Sequence, residues 1–201
     1  IAYIQSVYPG VFPNINDPVL ILKAKQSWEA SAMKLFLYAI QVGRSLIPEA
    51  KIGYYGYPSM PYWTNRSTNE QCREYNNKMS SLWEQVDALL PSIYQFYNST
   101  GNFDTLMNNV EYVRSKIHES IRLRDQYNPD AVIYPYTWYR YHDSPNGFIS
   151  YNELMVQYQY TYAYKDDVDG VVLWGYENNQ DGANNTKWWF AENSCIFEQL
   201  I

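Results

Sequence analysis

Four short strand-like runs, each preceded by a helix-like segment, constrain the fold of this chain more than any other feature. The runs cover residues 52–58, 89–96, 131–139 and 170–175. Strict alternation of helix and strand predicts a parallel sheet with crossover helices. Four strands are too few to close a barrel, for which eight is usual. The chain is therefore expected to be either a small open α/β sheet or part of a larger barrel, and a first residue other than Met favours the second.

Helix boundaries are marked by capping residues and prolines. Asp17 followed by Pro18 predicts the start of a long amphipathic helix that ends before Pro48, after an irregular segment over 1–16. Ser150 and Glu153 form a capping-box pattern that starts another helix, expected to run to about residue 165. Apolar spacing predicts further helices over 71–88, 103–124 and 188–200.

Aromatic residues end each of the four runs. In a β/α barrel the carboxyl ends of the strands build the active site. Tyr and Trp, of which the chain has 22 and 7, present flat apolar faces with polar tips. Sugar rings have one apolar face and hydroxyls around the edge, so the pattern predicts a carbohydrate site. For any single Tyr, packing in the core is an equally good interpretation.

Charge and motif content exclude other classes. The net charge of −6 argues against a nucleic-acid partner, because phosphate binding needs a basic surface. No segment is apolar over a length that spans a bilayer. The sequence contains no phosphate-binding loop, nucleophile elbow or Cys/His metal spacing, so neither a cofactor nor a metal is expected.

Three glycosylation sequons indicate a secreted, extracellular protein. They begin at Asn65, Asn98 and Asn184, each in a polar, turn-like stretch. Cys72 and Cys195 could pair with each other, pair with other cysteines or stay free.

Carboxyl groups near the strand ends are few, although glycoside hydrolysis usually needs two. Asp143, after His142, follows the third run and Glu177 follows the fourth. A loop role is favoured for His142 and Asp143. The acidic cluster over 166–169 precedes its strand, so it is interpreted as a solvated turn on the opposite face.

The aromatic motifs together resemble the hyaluronidase family of glycoside hydrolases. The resemblance covers nearly the whole chain, and residues 134–143 are similar to the invertebrate venom members. The motifs that carry it, in order, are Gly53-Tyr54-Tyr55-Gly56-Tyr57-Pro58, Ser81-Leu82-Trp83, Leu90-Pro91-Ser92-Ile93-Tyr94, Pro135-Tyr136 and Val171-Val172-Leu173-Trp174-Gly175.

The resemblance implies a fold and a reaction. The fold would be a distorted (β/α) TIM-like barrel, of which residues 1–201 would form the C-terminal part of one domain with four parallel strands. The reaction would be retaining hydrolysis of β-1,4 bonds after N-acetylhexosamine in a glycosaminoglycan, hyaluronan and often chondroitin. The substrate's acetamido oxygen is the nucleophile, and the Glu of an Asp-x-Glu motif is the acid. No Asp-x-Glu occurs here, and residues 3–9 resemble the helix after that motif, so the acid is expected before Ile1.

The same resemblance assigns roles to individual residues. Tyr94 would position the acetamido group, with Ser92 beside it. Tyr55 would line the subsite of the cleaved sugar, and Trp174 would wall the acetamido pocket. The remaining substrate-binding residues implied are Tyr57 and Tyr136. The alternative for Tyr55 and Tyr94 is that they are core aromatics.

The resemblance leaves both cysteines without a partner in this sequence. In the family, Cys72 would pair with a cysteine at the position that Met60 occupies here, so Cys72 has no evident partner. The family partner of Cys195 would lie before Ile1.

Three interpretations of the function stay open. A hydrolase is favoured; a non-catalytic glycan-binding relative and a small α/β domain of unrelated use are the alternatives. The glycan-binding relative would differ from the hydrolase in having no Asp-x-Glu acid. Because that motif would lie before Ile1, this sequence does not separate the two.

Overall fold

A helical unit over residues 1–50 is followed by an α/β unit over residues 51–201. The computed structural model describes residues 1–61, 66–142 and 147–175. In that part of the chain no helix is both long and apolar enough to cross a membrane.

The first unit contains helices α1 (Ala2–Val7) and α2 (Pro18–Leu46). Helix α2 begins where the sequence predicts, because the Asp17 carboxylate accepts hydrogen bonds from the first-turn amides of Val19 (2.8 Å) and Leu20 (3.3 Å). The prediction of an irregular segment over 1–16 is wrong for α1. This short helix has no side-chain cap, and it is stabilised by tertiary packing, through Ile4, against α2.

The second unit alternates strands and helices. Its strands are short, three residues or fewer, and its two longest helices are α5 and α6. In chain order the elements are β1 (Gly53–Tyr55), α3 (Arg66–Asn77), α4 (Ser80–Trp83), β2 (Ala88–Leu90), α5 (Phe103–Tyr127), β3 (Val132–Ile133), β4 (Tyr136–Trp138), α6 (Tyr151–Ala163) and β5 (Val172–Trp174).

All strand pairs in the described residues are parallel. Strand β2 lies between β1 and β3, and β4 pairs with β5. A parallel bridge joins Ser92, which follows β2, to Tyr136 of β4, so these two segments lie side by side. The predicted parallel arrangement is therefore confirmed, with the four predicted runs as successive neighbours.

The third predicted run, 131–139, is two strands rather than one. Pro135 has no N–H, so it cannot donate to a ladder, and the regular strand is interrupted there. The hydrogen bonds nevertheless continue on both sides: Tyr134 donates to the Leu89 carbonyl (3.0 Å), and the Pro135 carbonyl accepts from Val172 (2.9 Å). The segment around Pro135 therefore stays hydrogen-bonded to the neighbouring strand segments on both of its sides.

The helix predictions for this unit differ in quality. The capping box at Ser150 and Glu153 is present and opens α6, and α5 covers the whole predicted segment 103–124. The predicted helix over 71–88 begins earlier and is broken between α3 and α4. The helix predicted over 188–200 lies outside the described residues.

Two aspartates fasten the amino-terminal side of the strands. Asp87, before β2, accepts a hydrogen bond from the amide of Ile52 (3.1 Å). Asp169, before β5, accepts one from the amide of Ile133 (2.8 Å). Asp167 pairs with Arg124 of α5 at 2.8 Å. The acidic cluster over 166–169 therefore stabilises the structure through Asp167 and Asp169 and is not simply a solvated turn.

Candidate substrate site

Among the described residues, six side chains line a cavity of about 520 Å³ at the carboxyl side of the strands. Three are tyrosines, two are tryptophans and one is a histidine. They are Tyr55, Tyr94, Tyr136, Trp138, His142 and Trp174.

Tyr94 lies at the centre of this cluster. Its ring centroid is 5.6 Å from that of Trp138 and 6.3 Å from that of Trp174, which stacks on it. The Tyr55 ring lies 6.1 Å from Tyr94 and 5.1 Å, edge-on, from Tyr136. Such tilted and offset pairs are the favoured arrangements of aromatic rings, so contacts between the rings stabilise the cluster.

The parallel topology brings these residues together. Tyr55 is the last residue of β1, Trp138 is the last of β4 and Trp174 is the last of β5. Parallel neighbours end on the same edge of a sheet, so the three rings meet there. Gly56 follows at φ +85°, a conformation that allows the chain to turn immediately after Tyr55.

The Tyr94 hydroxyl stays protonated across the physiological range. Burial, and then the neighbouring Tyr55, raise the pKa of Tyr94 well above its ordinary value. The side chain is only 4% exposed, whereas Tyr55 is 51% and Trp174 39% exposed. The site therefore has a fixed neutral phenol at its base and aromatic faces open to solvent at its rim.

Four of the six residues predicted from the sequence line the cavity, namely Tyr55, Tyr94, Tyr136 and Trp174. The structure places the other two beside it. The Ser92 hydroxyl lies 3.4 Å from the Tyr55 hydroxyl, which donates to it. Tyr57 packs towards Trp83, with ring centroids 6.4 Å apart.

Trp138 and His142 were not selected from the sequence as site residues. Trp138 could have been, because it is two residues after Tyr136 and side chains two apart in a strand point to the same face. His142 follows β4, and its amide donates to the Gln95 carbonyl at 2.8 Å. That contact joins segments 47 residues apart, for which the sequence carries no local pattern.

A buried carboxylate holds the segments that carry the site. Glu153 of α6 is fully buried and accepts hydrogen bonds from the Tyr141 hydroxyl and from the amide and hydroxyl of Ser99 and of Ser150. Burial alone would raise the pKa of Glu153, but the hydrogen bond from Tyr141 and those from Ser99 and Ser150 lower it below its usual value. Glu153 thus ties the loop after β2 to the segment after β4.

The other candidates from the sequence fall elsewhere. Cys72 is half-buried and forms no disulfide with any described residue, and the pKa of its thiol is raised, chiefly by burial. Asn98 is exposed, and its side-chain oxygen accepts from the Thr100 amide at 2.8 Å. His118 contacts the Tyr164 hydroxyl at 2.5 Å. The candidates that lie outside the described residues are Asn65, Asp143, Glu177, Asn184 and Cys195.

A second cavity of about 520 Å³ lies between the N-termini of α5 and α6 and is lined largely by small polar residues, including Ser99 and Ser150. It lacks a comparable aromatic cluster. In the described part of the chain, no group of three potential metal-ligating side chains occurs. The aromatic cavity is therefore the better candidate for substrate binding.

An aromatic cavity at the carboxyl ends of parallel strands that are connected by helices is typical of glycoside hydrolases of the α/β class. The family model described as hyaluronidase matches residues 7–188. The chain belongs to the hyaluronidase family, which confirms the resemblance inferred from its motifs.

Relatives of known name agree with this assignment. The chain is 28% identical over 168 residues to hyaluronidase conohyal-ad1 of Conus adamsonii, covering 83% of this chain and 45% of that protein. It is 33% identical over 167 residues to the salivary hyaluronidase of Lutzomyia longipalpis, covering 80% of this chain and 42% of that protein. The chain thus spans less than half the length of these relatives.

The fold also matches a solved structure. Bee venom hyaluronidase superposes with a TM-score of 0.78 at 22% identity, covering 95% of this chain and 60% of that one. Its complex with a hyaluronic acid tetramer superposes with a TM-score of 0.77 at 22% identity, covering 94% of this chain and 58% of that one.

Proposed function

We propose that this chain forms the substrate site of a hyaluronidase that hydrolyses β-1,4 bonds after N-acetylhexosamine in hyaluronan. The observation that carries the proposal is the meeting of Tyr55, Tyr94, Tyr136 and Trp174 in one cavity. These residues come from four separate chain segments and match the family's motifs. Chondroitin, which has the same alternation of uronate and N-acetylhexosamine, is a second glycosaminoglycan that the site could accept.

The cavity suits an N-acetyl sugar. Trp174 and Trp138 meet edge to face, with centroids 5.1 Å apart, and offer an apolar wall for the acetamido methyl group. Tyr55 and Tyr136 supply exposed or half-buried rings on which a sugar face can lie. Apolar walls with a few placed polar groups are typical of small-ligand sites.

Tyr94 is proposed to position the acetamido group for attack on the anomeric carbon. Its raised pKa keeps the phenol as a hydrogen-bond donor, and its packing among aromatic rings fixes its direction. A donor held in place can orient the acetamide and stabilise charge that develops on it in the transition state. In a substrate-assisted retaining reaction, the acetamido oxygen forms a bond to the anomeric carbon while the bond to the leaving oxygen breaks.

The general acid is not assigned to any residue of this chain. Protonation of the leaving oxygen by a carboxyl group is needed for efficient cleavage, and residues 1–201 contain no Asp-x-Glu triplet. A glycan-binding relative without catalysis would share the same cavity. The family match supports the hydrolase, since the relatives reported above are named as hyaluronidases.

Several features of the whole protein are proposed with this function. The parallel strands would be part of a (β/α) barrel in one domain, as the match to bee venom hyaluronidase supports. The protein would be secreted, as the venom and salivary origin of relatives supports. Asn98 would carry a glycan, since it is exposed in a sequon loop; Asn65 and Asn184 are the other proposed sites, and Cys195 would form a disulfide.

The kinetic test compares variants in a form of the protein that cleaves hyaluronan. Tyr94→Phe keeps the ring and removes the donor, so kcat should fall by about 30-fold to 1,000-fold with little change in KM. Trp174→Ala should weaken both binding and turnover by opening the pocket. Circular dichroism of each variant serves as the folding control. A Tyr94→Phe enzyme with wild-type kcat would mean that Tyr94 is a core aromatic.

A further inference from the structure

Of the described residues that line the aromatic cavity, one has a side chain that can become a cation. Of the six described residues that line it, five are tyrosine or tryptophan and the sixth is His142. Hyaluronan is a polyanion, and the chain itself carries a net charge of −6. A carboxylate entering this cavity therefore needs a local positive charge or strong donors to replace its water.

His142 is held in position while its imidazole stays accessible. Its ring centroid lies 4.6 Å from that of Phe96 and 6.3 Å from that of Tyr94. Its amide donates to the Gln95 carbonyl, and the residue is exposed to solvent. A ligand bound over Tyr94 would therefore lie beside the imidazole.

The described cavity residues that face His142 from the neighbouring elements are uncharged. The segment after β2 presents Tyr94 and Phe96, and β1, β4 and β5 present the remaining aromatic residues of the cavity. Among the described residues, no carboxylate, lysine or arginine lines the cavity with it. Asp143, the next residue in the chain, lies outside the described residues.

A second donor on the same wall has no hydrogen-bond partner within the described part of the chain. The indole nitrogen of Trp138 is buried and makes no hydrogen bond to any described residue. Tryptophan is a donor only, and this nitrogen is closed to solvent, so no acceptor among the described residues completes it. The exposed His142 is therefore the accessible polar side chain next to the ring proposed to hold the N-acetyl sugar.

We propose that His142 determines specificity for acidic glycans by pairing its imidazolium with the uronate carboxylate next to the N-acetyl sugar. This inference rests on the proposed function, because it takes Tyr94 and Trp174 to hold that sugar. Histidine is the side chain whose charge ordinarily changes between pH 5 and 8, whereas a carboxylate is ionised at both limits. Binding of uronate-containing oligomers should thus strengthen as the pH falls.

Isothermal titration of residues 1–201 with two matched hexasaccharides tests this pairing. One is the hyaluronan hexasaccharide, and the other is the same oligomer with its carboxyl groups reduced to alcohols. At pH 5 the hyaluronan oligomer should bind about threefold to tenfold more tightly than at pH 8. The reduced oligomer should bind equally at the two pH values.

The variant His142→Gln keeps a hydrogen-bonding side chain and removes the cation. It should abolish the pH dependence for hyaluronan, and at pH 5 it should weaken binding of the hyaluronan oligomer more than binding of the reduced oligomer. His118→Gln is the matched control, since His118 is the one other histidine in the sequence and contacts Tyr164 rather than the cavity. It should retain the wild-type pH dependence.

Other results would overturn the inference. If His142→Gln weakens both oligomers alike, the imidazole acts by packing and not by charge. If wild-type protein binds both oligomers with no pH dependence, His142 does not read the carboxylate, although the proposed function stands. If wild-type protein binds neither oligomer at either pH, the proposed function fails and the role of His142 fails with it.

Discussion

At the scale of single residues, two buried titratable groups, Tyr94 and Glu153, are kept in opposite charge states. Tyr94 is kept neutral, because burial raises its pKa, and it stays available as a donor in the cavity. Glu153 is kept ionised, because five donor groups surround it and lower its pKa. The neutral phenol of Tyr94 can donate a hydrogen bond in the cavity, whereas the ionised carboxylate of Glu153 holds the surrounding segments together.

Replacement of the Glu153 carboxylate should destabilise the protein in a pH-dependent way. Glu153→Gln places an amide among N–H and O–H donors, so the free energy of unfolding at pH 7 should fall by about 2–4 kcal/mol. Because the folded-state pKa is lowered, the stabilisation is complete above the ordinary carboxyl pKa of about 4.3 and is lost as the pH falls through the folded value. The difference between wild type and variant should therefore shrink below about pH 4.

Urea unfolding at pH 7 and pH 3 measures this difference. Glu111→Gln is the control, since Glu111 is a half-exposed residue of α5 whose pairing with Arg114 at 3.4 Å is a surface contact. Its effect should be within about 0.5 kcal/mol at both pH values. An equal loss at pH 7 and pH 3 for Glu153→Gln would show that shape, and not charge, decides its contribution.

At the scale of elements, close approach of β1 and β2 places the first wall of the site. An ideal Cβ built on Gly53 would lie 2.1 Å from the Ala88 carbonyl oxygen, a backbone atom that cannot move aside. Only glycine fits between these strands at this register, in which Gly53 faces Ala88 and Tyr55 faces Leu90. The position of Tyr55 in the cavity thus depends on a glycine two residues earlier.

Gly53→Ala should therefore lower stability by about 2–3 kcal/mol, because the strands must separate or β1 must shift. Gly56→Ala is the matched comparison. Gly56 has open space around its Cβ position and a φ of +85°, so its cost is the backbone strain alone, about 1 kcal/mol. Thermal and urea unfolding of both variants measure the two effects, and a Gly53→Ala variant as stable as Gly56→Ala would contradict the register described here.

Local patterns predicted the elements that have local causes. Asp17 with Pro18, and Ser150 with Glu153, mark helix starts through hydrogen bonds within one turn, and both helices begin there. Local patterns did not predict helix α1, because it depends on packing against α2 and not on a cap; only the family resemblance of residues 3–9 implied a helix there. The interruption at Pro135 could have been expected from the missing N–H.

At the scale of the whole molecule, some residues of the candidate site could be predicted from the sequence and others could not. Tyr55 and Trp174 were predictable because strand ends of a parallel sheet converge, and Tyr94 lies in the segment that follows β2. His142 was not, because contacts between segments far apart in the chain place it. The role of Glu153 was only half visible: its bond to Ser150 is local, whereas Ser99 is 54 residues away.

Titration of residues 1–201 with hyaluronan hexasaccharide, followed by NMR of the tryptophan indole N–H groups, tests the central claim most directly. Trp138 and Trp174 line the cavity, whereas Trp28 is 73% exposed on α2 and serves as the internal control. We expect saturable shift changes at Trp138 and Trp174 and none at Trp28. The absence of saturable changes at the two cavity tryptophans, or changes of equal size at Trp28, would contradict the assignment of this cavity as the hyaluronan site.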